Sequence, residues 1–414
     1  MTASVLVPAL LAGAVLAATR GREAAGRHVY RRLTALLMRL GPTFVKAGQV
    51  LGTRRDLLPA ALCEELSLLA DSVVPLSEEQ TRRALADSYG TALDELFCEV
   101  EHEPVASGSV ACVYRGRLSS GQEVALKLRR PDIERVMALD LALIRRGAAA
   151  VARLPMFRGV PVGELIGQMC EAVSGQLDFE REAASLQRLR RNLSAVPRVW
   201  VPKVHAEACR PSCIVMEFIP GLDLTVTQRC TAVSRKRFAA SALTAIYQML
   251  FVDGFVHCDM HPGNLYFTLG GQVVVLDAGF SVQLSDRLRR LFAEFFMNMS
   301  LGRGRHCAEI VIESSAGVRD DADLEGFTVR MAELVERNSG IPARQFSLIA
   351  FATEMFDLQR TFGIHAAPEL IFPLLSLLVI EGTIRDLDPD VDFQQTAQPV
   401  LTRAVFSLGT MPPT

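Results

Sequence analysis

The chain has no excess of either charge, no paired-cysteine metal motif and no apolar run long enough to cross a bilayer, and each absence removes a class of function. Lys and Arg (44) nearly balance Asp and Glu (46), giving a formal net charge of −2. Nucleic-acid binders carry a concentrated basic footprint, so nucleic acid is not an expected partner. Nine cysteines occur without a CxxC pair. The nearest two, Cys209 and Cys213, lack the further ligands that zinc requires, and the set reads as reduced, mostly buried thiols of a cytoplasmic protein. The apolar run Val5 to Ala18 has 14 residues and contains Pro8, whereas a spanning helix needs about 20. Its charges, Arg20, Arg22, Arg27, Arg31 and Arg32, follow the run, unlike those of a signal peptide. Two readings stand for this segment: an interfacial helix making peripheral contact with anionic lipid on the inner face of the membrane, or a helix packed on the protein's own surface. A second apolar run, Leu370 to Ile380 with Pro373 inside, reads as a buried helix.

What is present is a chain of 414 residues, half of them apolar, with a mean hydropathy of +0.23, enough for two or three packed layers or lobes. Its chemistry is concentrated in His257-Cys258-Asp259-Met260-His261-Pro262-Gly263-Asn264 and Val273-Val274-Val275-Leu276-Asp277-Ala278-Gly279. Phosphoryl transfer requires a carboxylate aimed at the attacking oxygen, together with an Asn and a second Asp that hold magnesium on the ATP phosphates. Asp259, Asn264 and Asp277 occur in that order and spacing. Asn264 follows Asp259 by five residues, room for one loop turned by Pro262 and Gly263. Leu265–Phe267 and Gln272–Leu276 read as two short strands joined at Leu269-Gly270-Gly271, a hairpin that returns Asp277 beside the loop. An HxD pair alone is more often a turn cap; the full arrangement indicates a nucleotide-phosphate site.

Such a site requires an upstream Lys on a strand. Val124-Ala125-Leu126-Lys127 supplies Lys127 after the turn Ser119-Ser120-Gly121-Gln122. Before it, Ala106, Ser107, Gly108 and Ser109 offer small residues where backbone can approach a phosphate, although no G-x-G-x-x-G loop is present. Lys127 needs a helix carboxylate, and Glu182 is the candidate, with Asp178 four residues before it on the same helix face; a solvated charged face is the plainer reading. The separation of Lys127 from Glu182 implies helices inserted between them. After Asp277, little length is left for an activation segment and no APE follows, which favours a small-molecule acceptor or ATP hydrolysis over a peptide substrate. Residues 286 to 396 read as almost wholly helical, starting at a Ser285 cap.

Taken together, these motifs resemble the UbiB/AarF atypical kinase-like proteins, from about Leu40 to about Phe393. Lys46-Ala47-Gly48-Gln49, followed by Thr53-Arg54-Arg55-Asp56-Leu57-Leu58-Pro59, looks like the family's KxGQ signature. His261-Pro262 within the catalytic loop and Glu381-Gly382 with Leu387-Asp388-Pro389 are also similar to its motifs. The resemblance implies that Lys46 and Gln49 lie on an N-terminal extension over the nucleotide cleft. It further implies that Lys127 contacts phosphates and pairs with Glu182, that Asp259 is the catalytic carboxylate, and that Asn264 and Asp277 hold Mg2+. The backbone of Glu217 and Phe218, at the hinge formed by Met216 to Ile219, would read adenine. The expected ligands are ATP or ADP, with a lipid or isoprenoid small molecule as partner.

The chain departs from the family pattern at Ala106-Ser107-Gly108-Ser109, where the family has AAAS, and Gly108 is expected to free the backbone. Gln176 stands where a carboxylate is usual, and Ala278 replaces the DFG aromatic. The expected fold is α+β: a protein-kinase-like two-lobe fold with an N-terminal helical extension, helical insertions in the N-lobe and a mainly helical C-lobe. Residues 1–30 form the apolar and basic segment, 31–95 the extension, 96–218 the N-lobe (strands near 97–105, 110–117, 122–129, 198–206 and 212–218) and 219–414 the C-lobe. Three functions are weighed: an atypical kinase or ATPase in lipid, isoprenoid-quinone or other small-molecule metabolism; a nucleotide-gated scaffold; and a phosphotransferase of the antibiotic- or choline-kinase type.

Overall fold

Alternating apolar and polar positions build the sheet that organises the first half of the chain. The structure is a computed structural model and describes residues 22–52, 60–67, 69, 74–151, 162–223, 225–260 and 263–408. The expectations placed on residues 5–18, on Thr53 to Pro59 and on His261-Pro262 therefore lie outside the described residues. The chain divides into two compact units. One contains the residues up to Ala183 with Val204–Phe218; the other contains Ala184–Lys203 with Ile219 onward.

In the first unit, helices α1 (Arg22–Leu40), α2 (Pro42–Gly52) and α3 (Ala60–Ser67) pack on one another, and α4 (Glu78–Tyr89) leads into the strands. Strands β1 (Phe97–Val100), β2 (Ala106–Ser107), β3 (Ala111–Leu118), β4 (Glu123–Arg129) and β6 (Cys213–Glu217) form an antiparallel sheet in the order β1-β3-β4-β6, with β2 also on β3. Successive side chains of a strand point to opposite faces. Val124, Leu126 and Leu128 of β4 accordingly join Tyr114, Leu85 and Tyr89 in a core under α4, while Ala125, Lys127 and Arg129 take the other face. Two buried polar contacts fix α4 to this unit: Tyr89 Oη donates to the Ala208 carbonyl at 2.8 Å, and the hydroxyls of Thr81 and Tyr114 meet at 2.7 Å. Helices α5 (Ile133–Val151) and α6 (Val162–Gly175) are the insertion between Lys127 and Glu182, and they pack on each other and on α2. Helix α7 (Phe179–Asn192) follows and contains the division between the units.

Two glycines set the packing of α2. A Cβ on Gly48 would lie 2.4 Å from Leu69 Cδ1 and 2.9 Å from Leu37 Cδ1, and one on Gly52 would lie 2.9 Å from Leu66 Cβ. The glycine of the Lys46-x-Gly48-Gln49 motif thus gives the close approach of α2 to the small core of Val45, Leu66 and Leu69.

In the second unit, strand β5 (Val199–Trp200) runs parallel to β9 (Val273–Val275), which pairs antiparallel with β8 (Leu265–Phe267). This corrects the expected strand near 198–206: β5 adds to the hairpin of the second unit, and beyond it only Val204 bridges to Met216 of the first-unit sheet. Strand β7 (Phe255–His257) pairs with β10 (Ser281–Gln283). The remaining elements are mostly helices: α8 (Ala232–Tyr247), α9 (Asp286–Ser300), α10 (Gly304–Glu313), α11 (Leu324–Asn338), α12 (Leu348–Phe362), α13 (Pro368–Leu387) and α14 (Phe393–Leu408). Ser285 caps α9 by accepting from Leu288 N. The almost wholly helical reading of 286 to 396 is corrected by β11 (Ser315–Val318) and β12 (Ile364–Ala366), short strands that pair antiparallel after α10 and α12. Among the described residues no helix is long and apolar enough to cross a membrane. Leu370 to Ile380 belongs to α13, with Leu374, Leu377, Leu378 and Ile380 buried.

Candidate active site

Lys127 leaves β4 on the face away from the aromatic core, and its Nζ lies 2.5 Å from Glu182 Oε1. The Glu182 side chain is 2% exposed and that of Lys127 16%. Both Lys127 and Arg129 lie over the Phe179 ring, at 5.5 and 5.8 Å, and Arg129 also donates to the Leu177 carbonyl at 3.0 Å. The first turn of α7 is thereby tied to β4. Asp178 does not share a helix face with Glu182 as expected. It precedes the helix, and its Oδ1 accepts from Arg181 N at 2.9 Å. A short acceptor at that position satisfies an orphan helix donor better than it would serve on the helix side.

The small-residue segment has a support that the sequence reading missed. Arg130 Nε donates to the Gly108 carbonyl at 2.9 Å, and its Nη2 donates to Ser107 Oγ at 2.8 Å and to the Val74 carbonyl at 3.0 Å. Position 130 follows the strand that ends at Arg129, and β3 registers Ala111 opposite Arg129, so a long donor there reaches back over the 106–109 turn. Ala106 and Ser107 pair with Val113 and Cys112, and Ser109 is buried. Gly108 does not use the freedom expected of it: its φ is not in the left-handed region, and an added Cβ would only touch the Ala111 carbonyl at 3.5 Å. Glu217 ends β6 opposite Val124, and Phe218 N donates to the Glu123 carbonyl at 3.4 Å. On α2, Lys46 is half-buried, and Gln49 Nε2 donates to the Leu69 carbonyl at 2.9 Å, holding Gln49 within the extension.

In the second unit, the loop after β7 is built by backbone capture. Asn264 is buried, and its Nδ2 donates to the Asp259 carbonyl at 2.8 Å, while Leu276 N donates to the Asn264 carbonyl at 3.1 Å. The hairpin registers Leu265 opposite Val275 and Phe267 opposite Val273. Its short turn thus sets Asp277 next to the strand that follows Asn264. Asp277 Oδ1 accepts from Gly279 N at 2.7 Å, and Cys258 N donates to the Phe280 carbonyl at 2.8 Å. His257 Nδ1 accepts from Asp259 N at 3.1 Å. Asp259 and Asp277 are half-buried and Ala278 is fully buried. The structure therefore brings Asp259, Asn264 and Asp277 together through one loop and one hairpin, and Lys127 and Glu182 together through an ion pair.

The donors fit magnesium. Two carboxylates and an amide carbonyl are hard oxygen ligands, and with the Asn264 NH2 engaged by the Asp259 carbonyl, Oδ1 is the amide atom able to face a cation. Among the described residues no three His, Cys, Asp or Glu side chains gather as a metal group, whereas Mg2+ in nucleotide sites typically takes one or two carboxylates plus phosphate oxygens and water. Burial first, then the Asp259 charge, pushes the neighbouring Cys258 thiol well above the ordinary thiol range, which disfavours the thiolate form. All nine cysteines are free thiols.

On α13 the sequence reading missed Ser376 and named Glu381 only as part of a family motif. Ser376, buried, donates from Oγ to the His257 carbonyl at 2.8 Å, fixing the strand immediately before Asp259. Glu381, buried, accepts from Leu348 N at 3.1 Å, Ile349 N at 2.7 Å and Arg385 Nε at 3.0 Å. The Glu381-Gly382 motif thus caps the start of α12, an anchoring role for which an isolated EG dipeptide gives no local signal.

A model of the ABC1 atypical kinase-like domain matches residues 68–311, and one of the UbiB helical domain matches residues 331–392. The chain is similar to the "Probable protein kinase UbiB" of Pseudomonas paraeruginosa (strain DSM 24068 / PA7), with 33% identity over 379 residues, covering 90% of this chain and 71% of that protein. It is similarly related to the protein of the same name from Aeromonas hydrophila, with 33% identity over 375 residues, 89% of this chain and 68% of that protein. Among solved structures it resembles the Mycobacterium tuberculosis protein Rv3197, determined in complex with erythromycin. The TM-score is 0.59 and the identity 19%, over 88% of this chain and 93% of that one; that likeness concerns the fold.

Proposed function

The chain belongs to the ABC1 atypical kinase-like family, and from that premise we propose that it binds ATP with Mg2+ and hydrolyses it or transfers its γ-phosphate to a small molecule. In this reading Lys127, oriented by Glu182, contacts the phosphates. Asn264 and Asp277 hold the magnesium, and Asp259 accepts a proton from the attacking hydroxyl or water. Bound magnesium would neutralise phosphate charge; the protein's part is to position and orient. The 106–109 turn, braced by Arg130, approaches the phosphates, and the Glu217 and Phe218 backbone reads the base. Lys46 and Gln49 contribute from the extension. A lipid or isoprenoid acceptor, in quinone-related or other small-molecule metabolism, and peripheral membrane contact are the finer parts of the proposal.

The observation that carries this reading is the arrangement of Asp259, Asn264 and Asp277, locked by the Asn264 amide on the Asp259 carbonyl. The test is magnesium-dependent ATP turnover by the purified chain, with and without lipid or detergent. Asp259→Asn is expected to lose about a hundredfold or more. A wild-type chain with no turnover under any of these conditions, or an Asp259→Asn variant with full turnover, contradicts the reading. Gln176 and the buried Ala278 favour one second reading, a nucleotide-gated scaffold. Tight ATP binding combined with full biological complementation by Asp259→Asn would select it.

A further inference from the structure

Helices α9, α10, α12 and α13 of the second unit enclose a cavity of about 60 Å³ that shares no residue with the kinase motifs. Its walls are apolar, with Phe292, Phe295, Phe351, Met355 and Leu374 among them. One polar amide interrupts them. Gln359 of α12 lines the cavity at 6% exposure, and its Oε1 has no hydrogen-bond partner among the described residues. Leaving a buried carbonyl unpaired is costly, and a native core normally replaces such a group or satisfies it. A second polar group of the lining does not help: the Ser314 hydroxyl donates to the Val311 carbonyl at 3.2 Å. The partly exposed members of the wall, Ser314, Ala366 and Leu370, mark the mouth.

Water is a poor occupant. The volume admits it, but a buried water needs two to four polar partners, and these walls offer little beyond Gln359. A purely hydrocarbon occupant would fill the space and leave the amide unpaired. We propose that the cavity binds the hydroxyl end of an aliphatic molecule, with the hydroxyl on Gln359 and the carbon chain against the phenylalanines. A hydroxyl is donor and acceptor at once, so it pairs with the amide in either orientation of the Gln359 oxygen and nitrogen. An apolar cavity of roughly 150 Å³ takes the six carbons of a benzene ring, so this one accepts about two or three heavy atoms, the hydroxyl and the first one or two carbons. Any further length of chain leaves through the mouth. The ligand is therefore either a short free alcohol or the hydroxylated end of a longer lipid.

The test titrates the full chain by ligand-observed NMR with 1-butanol and with 1-chlorobutane, which keeps the chain and removes the donor. Wild type is expected to bind the alcohol about fivefold tighter, the worth of one neutral hydrogen bond. Gln359→Leu is expected to bring that ratio to about one, and Ala366→Leu, placed at the mouth, to abolish binding of both with the melting profile retained. Equal affinity of wild type for the two probes, no binding of 1-butanol by wild type, or an undiminished alcohol preference in Gln359→Leu overturns the proposal. The series from 1-butanol to 1-octanol separates the two sources: affinity that peaks at the short end identifies a free alcohol, and affinity that keeps rising identifies a long-chain lipid.

Discussion

Removing the ammonium of Lys127 should loosen the sheet as well as any nucleotide site, and the size of that loss follows from burial. At 2.5 Å and an effective dielectric of about 20, the attraction to Glu182 is on the order of 7 kcal/mol, much of it offset by taking the carboxylate out of water. Breaking one side of a buried pair costs about 3–5 kcal/mol. The Lys127 side chain is 16% exposed, so the lower end, about 3 kcal/mol, is expected for Lys127→Met. Glu182→Leu should cost a similar amount, and the double variant about as much as either single, because the second change removes the charge that the first left buried. The assay is hydrogen exchange of the β4 amides Glu123–Arg129, where 3 kcal/mol appears as roughly a hundredfold loss of protection. Protection within threefold of wild type in both single variants, or strictly additive losses in the double variant, would refute the reasoning.

Other outcomes follow from single contacts. Glu381→Gln keeps the shape but loses the charge that two α12 amides and Arg385 use, and should cost about 2 kcal/mol; an unchanged melting temperature would show that the cap is dispensable. Gly48→Val drives side-chain atoms into Leu69 and Leu37 and should cost about 1–3 kcal/mol by overpacking, with thermal melting as the check. Asp253 is pushed up to about 6, chiefly by burial. The folded state therefore holds its proton more tightly than the unfolded state, and stability falls as pH rises from about 4 through about 6. Asp253→Asn should remove that slope and raise stability at pH 7.5 by about 1 kcal/mol after solvent screening; a denaturation series from pH 4 to 7.5 that keeps the slope would contradict it.

The readable parts of this molecule were those with short-range rules. Strand alternation located β3, β4 and β6, and the Leu269-Gly270-Gly271 turn located the β8–β9 hairpin, because two-residue periodicity and turn chemistry act within a few positions. The Ser285 cap was legible for the same reason. The Lys127 and Glu182 pair is written 55 residues apart, and motif chemistry rather than periodicity linked them. What escaped the sequence depends on tertiary partners. Val199-Trp200 has ordinary strand character, but its choice of β9 is set by parallel pairing across the chain. The reach of Arg130 to Gly108 and of Ser376 to His257 requires the packed neighbours to be known. Asp178 was misassigned although its signal was local: an Asp just before an apolar residue that starts a helix is a cap before it is a helix face.

Isothermal titration with Mg·ATP tests the central claim most directly, run on wild type, Lys127→Ala and Asp277→Ala with folding verified for each. Wild type is expected to bind, and both variants at least tenfold more weakly. Wild-type affinity retained in both would contradict the claim.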